Sequence, residues 1–370
     1  MPIYDSVMQE KPPVVLEIGR IYTKLGFATE ATPRFIIPTV STVSTTEAIK
    51  SLFNYETNNE FYDLVVDFFQ MLFFKYFLVS PKDRKIVIVE SSLCPTIIRE
   101  TFTKALFRHF EVSSVFFVPL HLSVLSTLAV ETALVVDLGY SEGTVLPIYS
   151  GTQILKAFQA ENCGAQIIHK EIKRQLMESG VSEHLLTEKV LEDIKARTCF
   201  VTTFERAEQL RRGESVQHPP DIDYPVKEKT VIVIPGKLRE TAFEVLFSIE
   251  SNLSQMILNS LTYCSIEVRQ ELAENLVVVG GTAMVMGLLP RLQSELLQDI
   301  KFSPYAEKLL LSTFKIHKTI GKANFTSWLG GSIYGGTDLI ITKSLTKEQY
   351  SKISRVPDWI NLEDNCAPAS

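Results

Sequence analysis

The chain has 370 residues, of which 45% are hydrophobic and 22% charged, and it carries a formal net charge of −6. That balance is globular and too long for one core of ordinary size, so two domains or a two-lobed body are expected, and the lack of a basic excess argues against nucleic acid as the main partner. Cys94, Cys163, Cys199, Cys264 and Cys366 are odd in number and form no C-x-x-C pair, which fits free thiols in a reducing compartment, and no His or Cys spacing points to zinc.

The opening MPIYDSVMQEKPP lacks an apolar signal core, so a cytoplasmic protein is expected. The segment VVLEIGRIYTKLGF, 14–27, reads as a strand, a glycine turn and a second strand. A helix follows over 61–79; its Asp63, Asp67 and Lys75 make it a buried helix rather than a membrane insertion. Its aromatics Phe68, Phe69, Phe73, Phe74, Tyr76 and Phe77 wrap much of the circumference, which suits core packing and leaves room for a partner. A strand at 85–91, a helix at 97–110 with Ile98, Phe102, Ala105, Leu106 and Phe110 at helical spacing, a strand at 115–119 and a short helix to about residue 130 complete one α/β unit.

The segment ALVVDLGYSEGTVLPIY, 133–149, then opens a second unit on the same plan: Glu17 with Gly19 is echoed by Asp137 with Gly139. Helices are expected at 165–178, 182–198, 238–248, 252–263 and 266–274, with the polar stretch 211–229 as a loop or a solvent-facing excursion. In VVVGGTAM, 277–284, a strand stops at Gly280, Gly281 and Thr282 before a helix ending near Ile300. Thr346 and Gln349 fit a capping box, and the tail after Trp359 reads as poorly ordered. Trp328 and Cys199 read as core residues.

Adjacent backbone N–H groups in a tight turn converge on an anion, and glycine permits both the turn and the close approach. A carboxylate at the strand end holds hydrated Mg²⁺. One such turn alone is an ordinary hairpin corner; three of them, two written to one plan, suggest a polyphosphate cleft.

Five segments carry a closer likeness: TKLGFATEATPRFIIP (23–38), VVDLGYSEGTVLPIYSG (135–151), VLEDIKARTCFV (190–201), ENLVVVGGTAM (274–284) and FTSWLGGSIYGG (325–336). In content and order they resemble actin and the actin-related proteins over nearly the whole chain, and phrases such as VLEDIKARTCFV and RVPDW resemble the branch at the pointed end of dynactin. The resemblance implies an α/β actin-like fold with two lobes, 1–132 with 320–370 and 133–319, on either side of a nucleotide cleft. The positions matching the family's nucleotide contacts are Gly19, Lys24, Asp137, Gly139, Gly164, Lys195, Gly280, Gly281 and Thr282, with Asp137 also serving the metal. The implied ligand is ATP or ADP with Mg²⁺, structural rather than hydrolysed, or none.

Departures from the family carry the functional expectation. Glu17, Arg20 and Ile21 stand where actin has Asp, Ser and Gly, and the extra methylene of Glu17 moves its carboxylate by about 1.5 Å. Tyr140 and Ser141 replace an acid and a glycine, Thr144 replaces a histidine near the attacking water, the catalytic glutamine falls at or beside Leu122, and Ala196 replaces a glutamate. Hydrolysis is expected to be lost or very slow, because phosphoryl transfer depends on positioning. Arg20 is an alternative occupant of a phosphate position.

Between Pro38 and Phe61 barely twenty residues remain where actin carries a small subdomain with a projecting loop. A head-to-tail subunit that lacks one face can end a filament but not extend it. The resemblance therefore implies a non-catalytic subunit that caps dynactin's filament. Its partners would be the actin-related filament protein and the other pointed-end subunits, with dynein indirectly. Alternatives are a nuclear actin-related subunit of a chromatin-remodelling complex or an ATPase or kinase of the superfamily.

Overall fold

Two short strands, β1 (Val14–Ile18) and β2 (Tyr22–Phe27), pair antiparallel so that Glu17 faces Lys24 across the ladder. In this computed structural model the described residues are 11–42, 49–227, 230–248, 251–302 and 304–357. They fall into two units, one running to Leu128 and resuming at Ser327, the other comprising Ala129–Thr326.

In the first unit β2 also pairs with β3 (Phe35–Pro38), which is followed by β4 (Val40–Thr42) and β5 (Ile49–Ser51). Farther along come β6 (Lys85–Glu90) and β7 (Ser114–Pro119). The main sheet has the order Leu345–Thr346, β7, β6, β1, β2, β3, with β1, β6 and β7 parallel. Its central strands, VVLEI and KIVIVE, are apolar runs because parallel strands are covered on both faces.

The helix expected over 61–79 starts earlier, as α1 (Asn58–Met71), because the Thr57 side chain accepts from the Glu60 amide and caps it. It then widens into a π-helical turn, Leu72–Phe77, that ends at left-handed Leu78 (φ 53°). Phe68, Phe69, Phe73 and Phe77 are buried and only Phe74 of the six aromatics is exposed. The Phe69 ring meets Phe102 at 5.5 Å and Phe110 at 6.1 Å, both T-shaped, so α1 packs on α2 (Thr96–Arg108) through aromatic edges. A third helix, α3 (Leu120–Leu128), completes this run.

The helix Thr326–Gly335 lies on the first sheet by virtue of its glycines. A Cβ on Gly331 would sit 2.2 Å from Val89 Cγ2, and one on Gly330 would sit 1.8 Å from the Ser123 carbonyl oxygen. Trp328 is fully buried and its indole N–H donates to the Val15 carbonyl at 3.1 Å. Between Pro38 and α1 the described residues form the two-stranded β4–β5 sheet, with 43–48 outside them. It is pinned by Leu52 N–H to Thr39 O (3.1 Å) and by the Lys50–Glu60 ion pair.

The second unit begins with β8 (Ala133–Leu138) and β9 (Gly143–Tyr149), followed by β10 (Thr152–Gln153) and β11 (Gln159–Glu161), both paired with β9. Helix α4 (Ala165–Glu178) occupies its expected range. The region 182–198 instead divides into a 3-10 turn, Glu183–Leu185, and α5 (Glu188–Thr198), because Thr187 caps a new start. Likewise 238–248 becomes Gly236–Thr241 and a 3-10 turn, Glu244–Leu246.

The stretch 211–229 is not all loop. Its end forms β12 (Ile222–Lys227), paired with β13 (Thr230–Ile234), in which Ile232 and Ile234 are buried while Val231 and Val233 face outward. Pro225, the charges around the turn and a register shift after Pro225 obscured this period-2 pattern. Helices Leu253–Thr262 and Ile266–Ala273 lead to β14 (Leu276–Val279), which adds to β8 in parallel. Helix Leu288–Asp299 then carries Arg291, 1% exposed, with Nη atoms 2.8 and 2.9 Å from Glu244, Nε 2.8 Å from Glu295, and a bond to the Thr202 carbonyl. The capping box forms at Lys347–Ile353, and the tail from 358 lies outside the described residues.

Candidate nucleotide-binding turns

In the first unit the Gly19 amide closes the β1–β2 turn on the Tyr22 carbonyl at 3.0 Å. A Cβ there would meet the same carbonyl at 2.8 Å, so the turn needs glycine. The register places Lys24 opposite Glu17, and the two form an ion pair that is largely buried. The second Glu17 oxygen accepts from Ser327 Oγ at 2.7 Å. Arg20 lies with its guanidinium 5.5 Å over the Phe53 ring and 3.5 Å from the Phe53 carbonyl, engaged with the short segment after β5.

The second unit gathers more of the expected residues. Its β8–β9 turn closes through Gly139 N–H to Glu142 O at 3.1 Å, and Asp137 is half-buried at the strand end. Gly280 ends the neighbouring β14 with φ +97°, and a Cβ on it would lie 2.3 Å from the Leu138 carbonyl and 2.8 Å from Asp137 Oδ1. The Asp137 carboxylate thus stands beside two glycine turns. Gly164 closes the other side: its missing Cβ lets the start of α4 abut the turn, where Ala165 and Gln166 donate to Gly139 O (3.0 Å) and Tyr140 O (2.8 Å).

Gly281 is exposed and has nothing within 4 Å of the position its Cβ would take. Thr282, 1% exposed, has a buried hydroxyl with no hydrogen-bond partner, and so does the Oδ1 of Asn324, the residue after the carbonyl that accepts from the Gly280 amide. Buried polar atoms without partners are costly, so this turn is chemically suited to a polar ligand. An open glycine, an orphaned hydroxyl and a strand-end carboxylate fit the sugar-phosphate part of a nucleotide with hydrated Mg²⁺ near Asp137. Among the described residues no cluster of three or more His, Cys, Asp or Glu is arranged to hold a metal by itself.

Lys195, 4% exposed on α5, is engaged within its own unit. Its ammonium donates to Glu192 at 2.6 Å, and Glu192 also meets His169 Nε2 at 3.0 Å. His169 Nδ1 lies 2.8 Å from Glu188, which accepts from the Tyr140 hydroxyl at 2.8 Å. A chain of contacts therefore runs from the Gly139 turn to Lys195. Burial pushes the Glu192 carboxyl up, but the His169 hydrogen bond and the Lys195 ammonium outweigh it and hold Glu192 at about 2. Tyr140 read in sequence as a loss at a phosphate loop; its partners Glu188 and His169 left no signal, since they meet it only through the tertiary fold.

Leu122 is half-buried in α3 and Thr144 is buried on β9, opposite Asp137. Neither a leucine nor a threonine supplies a general base. Cys199 is buried just past the end of α5, with its thiol pushed up to about 11 by burial, consistent with a packing role.

Comparison with protein families matches residues 8–355 to Actin. The chain belongs to the actin family. A curated relative, Actin-related protein 10 of Dictyostelium discoideum, is 29% identical over 438 aligned residues that cover 96% of this chain and 90% of the relative. In this actin-related protein the glycine turns at Gly19, Gly139 and Gly280 thus sit on an actin fold. No helix among the described residues is long and apolar enough to cross a membrane.

Proposed function

We propose that this actin-related protein is a structural subunit without ATP turnover that caps the pointed end of dynactin's actin-like filament. In this role it would work in the cytoplasm beside the filament protein and the other pointed-end subunits, and so support dynein-driven transport. The observation that carries the reading is the short segment before α1, where two three-residue strands stand in place of the family's projecting subdomain. Likeness to Actin-related protein 10 supports it. So do Tyr263, Ile266 and Leu310, large apolar side chains exposed by 57, 75 and 83% on the second unit, since exposed apolar surface marks association.

Asp137 and the Gly280–Thr282 turn would hold ATP or ADP with Mg²⁺ as a structural ligand. When bound, that ligand supplies charge and cross-linking contacts that stabilise the folded state by linkage. These residues would hold it, and Leu122 and Thr144, at the positions of the family's water-orienting groups, would not activate water.

The test is to polymerise the filament protein with increasing amounts of the purified chain and measure lengths by electron microscopy, with co-sedimentation alongside. Shorter filaments carrying one copy at one end are expected. Unchanged lengths with no co-sedimentation would overturn the reading, and phosphate release with measurable turnover would overturn its non-catalytic part.

A further inference from the structure

Three places in the chain set an arginine three residues ahead of a serine or threonine: Arg20 before Thr23, Arg212 before Ser215 and Arg291 before Ser294. In two of them one member is out of reach, since Thr23 is fully buried and Arg291 is 1% exposed and tied to Glu244 and Glu295. Arg212 and Ser215 are both exposed, on the second unit. They straddle the end of the helix Phe204–Arg211, where Gly213 takes φ +70° and the last turn closes through Gly213 N–H to Leu210 O and Glu214 N–H to Gln209 O, each at 3.1 Å. No hydrogen bond among the described residues holds Ser215 or Val216. The chain is pinned again at Gln217, whose carbonyl accepts from Arg206 at 2.7 Å, and at His218, 2.6 Å from Glu240.

A serine kinase needs its acceptor hydroxyl on exposed backbone that can straighten in the enzyme's cleft, and acidic residues lining such a cleft select arginine ahead of the acceptor. Here the straightening costs two backbone bonds of a terminal helical turn and a loose Arg212–Glu208 ion pair at 3.6 Å, in which the arginine side chain is 68% exposed. We infer that Ser215 is the acceptor of a serine kinase that reads Arg212, with Val216 as the apolar residue that follows. In the reaction Ser215 Oγ bonds to the γ-phosphorus of ATP, the bond from that phosphorus to the ADP oxygen breaks, and the hydroxyl proton passes to the kinase's carboxylate base. Before modification Arg211 and Arg212 balance Glu208 and Glu214; the phosphate adds about two negative charges and turns this tip anionic. The inference stands apart from both the nucleotide and the filament readings.

The test treats the folded full-length chain with ATP, Mg²⁺ and a purified serine kinase selective for arginine three residues before its acceptor, and maps the product by mass spectrometry. A single phosphate on Ser215 is expected. Ser215→Ala should remove it without another site taking its place, and Arg212→Gln should slow its transfer about tenfold or more. Both substitutions fall at exposed positions outside the packed core, so the variants keep the fold. An unmodified Ser215 in the folded chain, phosphate on other residues instead, or a rate indifferent to Arg212→Gln would overturn the inference.

Discussion

Replacing Glu192 by Gln should destabilise the second unit at neutral pH and have little effect in acid. The folded carboxyl is held at about 2 against an ordinary 4.5, with burial opposing and His169 and Lys195 causing the depression. Because the folded value is the lower one, the contribution is complete above 4.5 and is lost as pH falls towards 2. The interval between those values corresponds to about 3 kcal/mol at full effect. The side chain remains 33% exposed, so solvent screening brings the expected loss in the variant to about 1–2 kcal/mol. Hydrogen exchange of the α4 and α5 amides, read by mass spectrometry at neutral pH and at about pH 3, measures it where it arises. Protection should differ at neutral pH, and the difference should fall to less than half at the lower pH. No difference at neutral pH would show that the Tyr140-to-Lys195 chain of contacts contributes nothing, and an equal difference at both pH values would refute the ionised Glu192 carboxylate as the source of the stabilisation.

Gly330→Ala would place a Cβ 1.8 Å from the Ser123 backbone carbonyl oxygen, and should cost about 3 kcal/mol in thermal unfolding of the first unit. An unchanged melting temperature would mean that the helix does not lie where it is described. Arg291→Met should cost about 3–5 kcal/mol in urea, since it strands Glu244 and Glu295 without their buried partner. Adding Glu295→Gln should recover part of that loss, and strict additivity of the two changes would contradict the shared network.

Much of the architecture was legible because local rules agreed with tertiary packing. The paired acid and glycine of the two hairpins, the apolar runs of the sheet strands and the Thr346–Gln349 capping box all read directly from sequence. What escaped was decided in places by single local residues and in others by residues distant in the chain. The pattern of 61–79 indicates a helix but not the change to π geometry at Leu72, and it does not reveal the Thr57 cap that sets the start. The hairpin at β12 and β13 was hidden by Pro225 and flanking charges, although its inward isoleucines are well buried. At the site, Gly19, Gly164 and Gly280 announced the turns because close approaches, and at Gly280 a φ of +97°, leave no room for a side chain. The groups that hold the carboxylate partners of Lys24 and Lys195 were less visible: Ser327 lies 310 positions from Glu17, and His169 lies 23 from Glu192.

The helix Thr326–Gly335 has a consequence for how the molecule comes into being. Its Trp328 anchors to Val15, 313 positions earlier, whereas the second unit is one unbroken stretch, Ala129–Thr326. On the ribosome the second unit can close while the first hairpin still waits, with its apolar strands uncovered, for a helix not yet made. The N-terminal third is thus the last to mature, is exposed longest to aggregation and to chaperones, and is the part that premature termination after Thr326 would leave unfinished.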